Sequence, residues 1–434
     1  MSMSARLGSE HLTVPRARMM VFCVAAIGTV IRFILLYTTK GSADVSIFLG
    51  FSEEIEDSGP IRIYEQPLPW LPVYNHPPLA GWILLGMSEL NGMGFSFAAL
   101  IRLPATLADA VSSMLVFEIL RRRTSVHSAM GCAWTVALSP LLIAISGYHG
   151  NNDPVAVMLA IAAAYLLVDK KRPWTAGLVA ALSVSVKFVP VVTLPILLVV
   201  AARSGRQALL SFCAGLFGLT AFIWGPVVLT VPAALKENVV DYQGQPWPIW
   251  GLMRFADLLG ISESSIAFAQ GEGHLFFVLL CVAIGIWLVW RRPDEAPVVV
   301  GLTLALLLLL STAGAVQYLA WAAVGMSATG LWQGLAYNAI VGAVAYMVYT
   351  GPSPMFWNED TLSLAVFGWT VLALGIASGF RKVLARPQTA TPLHPPPHPL
   401  HPSRARLTLC GRPEPDVRVG HASGTPRVLP GSRL

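Results

Sequence analysis

Twelve apolar stretches leave this chain little choice of fold. They run at about 17–37, 98–120, 127–147, 153–168, 174–187, 188–202, 208–230, 274–290, 297–312, 316–331, 335–350 and 363–382. A water-soluble domain carries about 25% charged residues. Here 12% are charged and 55% are hydrophobic. The mean hydropathy is +0.64. That much apolar surface belongs in a bilayer, so the expected fold is an all-α polytopic membrane bundle of about twelve transmembrane helices.

Basic clusters set the expected sidedness. Arg121-Arg122-Arg123, Lys170-Lys171-Arg172, Arg203 with Arg206, Arg291-Arg292 and Arg381-Lys382 all read as cytoplasmic. The N-terminus, residues 1–16, joins them, with the first span as an uncleaved anchor. The net charge of +6 reflects these clusters and the tail, and does not point to nucleic acid. Residues 79–90 are apolar but too short for a span, which needs roughly twenty residues. They read as a juxtamembrane or re-entrant helix.

The transmembrane part is then 17–383, with outer regions at 38–97, 148–153, 231–273 and 351–362. In the first, Ile47, Phe48, Phe51 and Ile55 recur at helical spacing, which predicts an amphipathic helix on the membrane surface. Residues 384–434 are rich in Pro, Arg and His and read as a disordered, dispensable tail. None of the five cysteines forms a CxxC pair, so neither a zinc site nor a disulfide framework is expected. His394, His398 and His401 lie in that Pro-rich tail and are not read as a metal site.

Charge and amide groups near a bilayer mark where work is done. Asp44 follows the first span and could act as a general base, or cap the helix behind it. His149, Asn151, Asn152 and Asp153 form a short polar loop on the same side. Asp153-Pro154 also fits a helix start, with Asp153 as N-cap. Lys187 sits in an apolar stretch before Pro190, at the expected tip of a hairpin. There it could hold a lipid phosphate, or snorkel from a helix end. Arg102 and Asp109, seven residues apart, share a helix face and read as a structural polar pair. Gln317 and Tyr318 open a span and could line a pocket, with Tyr318 and Trp321 equally suited to interfacial anchoring.

With Asp44, Tyr64 and the run Tyr74-Asn75-His76-Pro77-Pro78-Leu79 in the first outer loop, the chain resembles the GT-C integral-membrane glycosyltransferases. The stretch Tyr148 to Asp153 is similar to that superfamily's polar second outer loop. Ser185-Val186-Lys187-Phe188 with Pro190 and Pro195 resembles the lysine motif of dolichyl-phosphate-glucose-dependent members. Gly314 to Trp321 is similar to a motif of bacterial polyprenyl-phosphate-mannose-dependent ones. The resemblance covers roughly residues 17–350. Asp44 is followed by Val45, so a paired-acid metal motif is absent, and Gln317-Tyr318 stands where the glucosyltransferases carry His-Glu-Lys.

The resemblance implies a single-displacement, inverting hexosyl transfer, mannose favoured, from a polyprenyl-phosphate sugar. The acceptor would be a glycan, lipid-linked or protein hydroxyl on the outer face of a bacterial plasma membrane. Asp44 would be the base and Lys187 the phosphate partner. His149, Asn152 and Asp153 would orient the sugar, with His76, Tyr64, Gln317 and Tyr318 as further binding residues. Residues 79–90 and 231–273 would roof the site. No metal is required; Mg or Mn would have a place if Asp44 and Asp153 converged. The competing reading is a transporter or flippase of lipid-linked sugars, which predicts polar residues at midplane and repeat symmetry.

Overall fold

The computed structural model describes residues 12–242, 244, 250–351 and 359–386, all in helices and connecting turns. Residues 387–434 of the expected tail, with its histidines, and residues 1–11 of the expected N-terminus lie outside that range. The first α-helices are α1 (Val14–Thr38), α2 (Ala43–Arg62), α3 (Pro78–Gly92), α4 (Phe97–Leu120), α5 (Val126–Ala137) and α6 (Pro140–Leu142). A π-helix follows at Ile143–His149. Next come α7 (Asp153–Val168), α8 (Pro173–Val186), α9 (Leu194–Arg203), α10 (Arg206–Thr230) and α11 (Pro232–Leu235). The rest are α12 (Leu252–Leu258), α13 (Glu263–Gln270), α14 (His274–Arg291), α15 (Ala296–Leu309), α16 (Ala320–Thr329), α17 (Leu331–Thr350) and α18 (Glu359–Ala385).

All twelve apolar stretches are helical, but among the described residues only seven segments are long and apolar enough to cross a bilayer. These are α1, α4, Val126–His149, α10, α14, α17 and Leu362–Ala385. The other five expected spans are shorter. At 14 residues α15 is about 21 Å long, against a hydrocarbon core of about 30 Å. Its place explains its composition. Every residue of α16 and all but the last of α15 are buried. A helix surrounded by other helices is apolar on every face. Likewise α7 packs between α4, α8 and α15, and α8 between α7 and α10.

The first outer region folds back on the protein. Val45, Phe48, Phe51 and Ile55 of α2 are buried, and α2 packs against α3. The helix expected to lie on the bilayer therefore turns its apolar face to Tyr64, Tyr74 and Leu84 of its own chain. Glu53, Glu56 and Asp57 are exposed on the other side. At 15 residues, α3 is the short helix that the sequence predicts.

The basic clusters meet at the far end of α4 from Arg102. Arg123 pairs with Asp169 at 3.0 Å and with Glu295 at 3.6 Å, and Glu295 also holds Arg386. Across the bundle, Asp109 pairs with Arg32 of α1 at 2.9 Å, both 1% exposed. The expected Arg102–Asp109 pair is thus replaced by one between helices. Removing one partner of a buried pair leaves an unpaired charge and costs about 3–5 kcal/mol. Arg32→Met should lower the unfolding midpoint in detergent accordingly; an unchanged midpoint would show that Asp109 is solvated or neutral there.

Candidate active site

Asp44 stands at the second position of α2, and the cap is Ser42, whose hydroxyl accepts from the Asp44 N–H at 3.2 Å. Asp44 is therefore not the cap, and its side chain is free for other work. The Ser42 hydroxyl in turn donates to the His149 carbonyl at 2.8 Å. That bond ties the start of α2 to the π-helix. The wide turn ends at Gly150, whose φ of 87° lies in the left-handed region. A Cβ there would meet Val45 Cγ2 at 2.9 Å, so both the backbone and the space call for glycine. π-turns often mark functional positions.

The result is a carboxylate with one oxygen held. His149 Nε2 lies 2.9 Å from Asp44 Oδ2, and Asn151 Nδ2 lies 3.5 Å from the same atom. No hydrogen bond among the described residues reaches Asp44 Oδ1, and the side chain is 29% exposed. Burial pushes the Asp44 carboxyl up. The hydrogen bond and charge of His149, helped by Lys187 and Asn151, outweigh it and hold the group below its ordinary value. Tyr349 lies over the His149 ring at 5.6 Å between centroids.

Lys187 is where α8 stops. Its backbone is extended (φ −146°, ψ 138°), and a 3-10 turn, Val189–Thr193, leads into α9. A helix ends at or before the residue preceding a proline, here Val189 before Pro190. The Lys187 ammonium lies 3.5 Å from Asp153 Oδ2. The other oxygen of Asp153 accepts from Trp321 Nε1 at 2.6 Å. Asp153 is the first residue of α7, with Asn152 at the cap, so its carboxylate serves these partners rather than the helix end. Trp321 is 4% exposed, which replaces the expected interfacial anchor by a buried donor. Tyr318 stacks on it at 4.3 Å. Gln317 is half-buried beside them.

His76 and Tyr64 belong to the aromatic cluster beneath α2. Tyr64 donates to the His76 carbonyl at 2.8 Å, and the His76 ring lies 5.0 Å from Phe48. Burial first, then the Lys187 charge, push the His76 ring down to about 3, so it is neutral. Tyr64 positions the loop; His76 lies within electrostatic reach of both Lys187 and Asp44. The third outer region reaches the same end. Asn238 donates to the Tyr64 carbonyl at 2.9 Å, and a Cβ on Gly244 would meet Ala313 at 2.9 Å. Residues 243 and 245–249 of that loop lie outside the described range.

An apolar groove of about 320 Å³ opens between α1 and α4, with Phe33, Leu36, Tyr37, Phe95, Leu100 and Leu103 on its walls. Asp153 faces an ammonium and an indole N–H. Among the described residues no group of three or more His, Cys, Asp or Glu side chains gathers to hold a metal. Sequence reasoning missed Ser42, although serine is among the favoured cap residues. It also missed Tyr349, for which no local signal exists.

No curated protein matches the chain. Residues 75–229 match the family model of dolichyl-phosphate-mannose-protein mannosyltransferases. The match spans His76, the 147–153 stretch and Lys187; Asp44 precedes it, and Tyr318 and Trp321 follow it. Together with the all-helical fold and its seven membrane-length helices, it supports a multi-pass membrane glycosyltransferase of GT-C type.

Proposed function

We propose that the protein transfers a hexose, mannose favoured, from a polyprenyl-phosphate donor to an acceptor hydroxyl, with inversion at the anomeric carbon. The observation that carries this is Asp44: one carboxylate oxygen is fixed by His149 and the other is uncommitted. Asp44 Oδ1 takes the hydroxyl proton as the acceptor oxygen bonds to the anomeric carbon. The bond from that carbon to the phosphate oxygen breaks, and its electron pair leaves with the phosphate. Lys187 meets that growing charge. His149, Asn151, Asn152 and Asp153 line the sugar's place, and Tyr318 with Trp321 offers a flat apolar face to it. The apolar groove beside α1 gives a hydrocarbon chain somewhere to lie. The site faces the extracytoplasmic side, opposite the basic clusters. The acceptor is a glycan, lipid-linked or protein hydroxyl.

The test is transfer of label from radiolabelled polyprenyl-phosphate-mannose in membranes carrying the protein. Labelled product above a vector control is expected. Label left on the donor, with the glucose donor tried as well, would overturn the reading and favour transport. Because a cation would compete with Lys187 for Asp153, we propose a reaction without a metal. Excess EDTA should leave the rate unchanged; a loss restored by Mg or Mn would refute this.

A further inference from the structure

The π-helix carries His149 and the start of α2 carries Asp44, and one buried side chain ties the first to the end of α1, which leads into the second. Arg102, on α4, is 0% exposed. One terminal nitrogen donates to the Gly147 carbonyl at 3.1 Å, the Thr39 hydroxyl at 2.9 Å and the Leu35 carbonyl at 3.3 Å. The other donates to the Leu36 and Thr39 carbonyls at 2.8 and 2.9 Å. Its Nε returns to the Ala98 carbonyl. The stem also runs close beside Gly150, where a Cβ would meet Arg102 Cγ at 3.0 Å. So Arg102 holds Gly147, two residues before His149, and the last turn of α1, from which Gly41, Ser42 and Asp44 follow.

None of these partners is a carboxylate. The guanidinium spends its charge on carbonyls at the negative end of α1 and on the π-turn. Five N–H groups in a fixed fork serve six acceptors on three backbone segments; an ammonium has three donors and no fork. Ordinary bundle packing asks for no such group, and it stands one segment away from the proposed base.

We infer that Arg102 is a positioning residue for transfer, fixing the Asp44–His149 contact by tying the end of α1 to the π-helix. This rests on the reaction proposed above. Arg102→Lys keeps the charge and loses the fork. Small misplacements of a reacting group can cost about 100-fold in rate, so kcat should fall by about that factor while KM holds. The acid limb of the pH profile should also move up, since a looser His149 contact lets Asp44 hold its proton more tightly. Lys187, His76, Tyr318 and Tyr349 complete the titratable surroundings of Asp44 and are unchanged in this variant.

A folded Arg102→Lys protein with kcat within twofold of wild type, or with an unmoved acid limb, would overturn the inference. If Arg102→Lys does not accumulate, Thr39→Val decides. It removes one acceptor, and should give a smaller loss with the same shift; a wild-type profile would overturn the inference. If the wild type transfers no sugar, the proposed reaction fails but the tie is still readable. Carbethoxylation of His149, mapped by mass spectrometry, should rise several-fold in Arg102→Lys over wild type, and equal labelling would overturn it.

Discussion

Asp44→Asn will lower sugar transfer by about 10²–10⁴-fold at matched protein levels, the range that a positioned general base contributes. The substitution keeps size and shape. An amide oxygen can still accept from His149 Nε2, so the segment stays where it is. What is lost is basicity at the open oxygen. KM for the donor should change little, because the donor's phosphate is met by Lys187. The pH profile gives a second check. Asp44 is held below its ordinary value, so the wild type should keep its rate from neutral pH down to about 5, above the usual carboxylate pKa of about 3.9. The same shift adds stability that is present above the unfolded-state pKa and lost as pH falls through the folded one. Transfer by Asp44→Asn at the wild-type rate would remove Asp44 as the base.

The bundle was legible from hydropathy because apolar content is a property of segments. The number of full-length spans was not. A helix such as α15, apolar all round, reads like a span whether it meets lipid or protein, and only its 14-residue length separates the two. The periodicity of Phe48, Phe51 and Ile55 gave the right helix and the right face, but no sequence pattern says that α3 is the partner. Site residues followed the same division. Asp44, His149 and Lys187 stood out as polar groups in apolar surroundings. Their pairings did not, since each joins segments that are distant in sequence: Asp44 to His149, Asp153 to Trp321, Arg32 to Asp109. Arg102 is the sharpest case. Its helix-face partner by spacing was Asp109, yet all its donors go to backbone and one hydroxyl, which hydropathy and spacing do not encode.

Lys187→Met will cost about 10²–10³-fold in kcat, the usual effect of removing one preorganised partner of a developing charge. The Lys187 side chain is 15% exposed, and its ammonium lies 3.5 Å from Asp153 Oδ2. That separation is an ion pair rather than a close hydrogen bond, so its three donors can turn to a phosphate. Methionine keeps the apolar stem and removes only the charge. The split between constants identifies the role. A cation that meets charge growing on the leaving phosphate lowers kcat when removed; one that only holds the donor raises KM with kcat unchanged. The first is expected. Asp153 loses its cation in this variant and keeps only the Trp321 bond, so protein level and melting behaviour must be matched before rates are compared. Lys187→Arg retains the charge on a different stem and should recover part of the rate if charge is what counts. A well-folded Lys187→Met enzyme with wild-type kcat and KM would assign phosphate binding elsewhere and leave Lys187 as the partner of Asp153 alone.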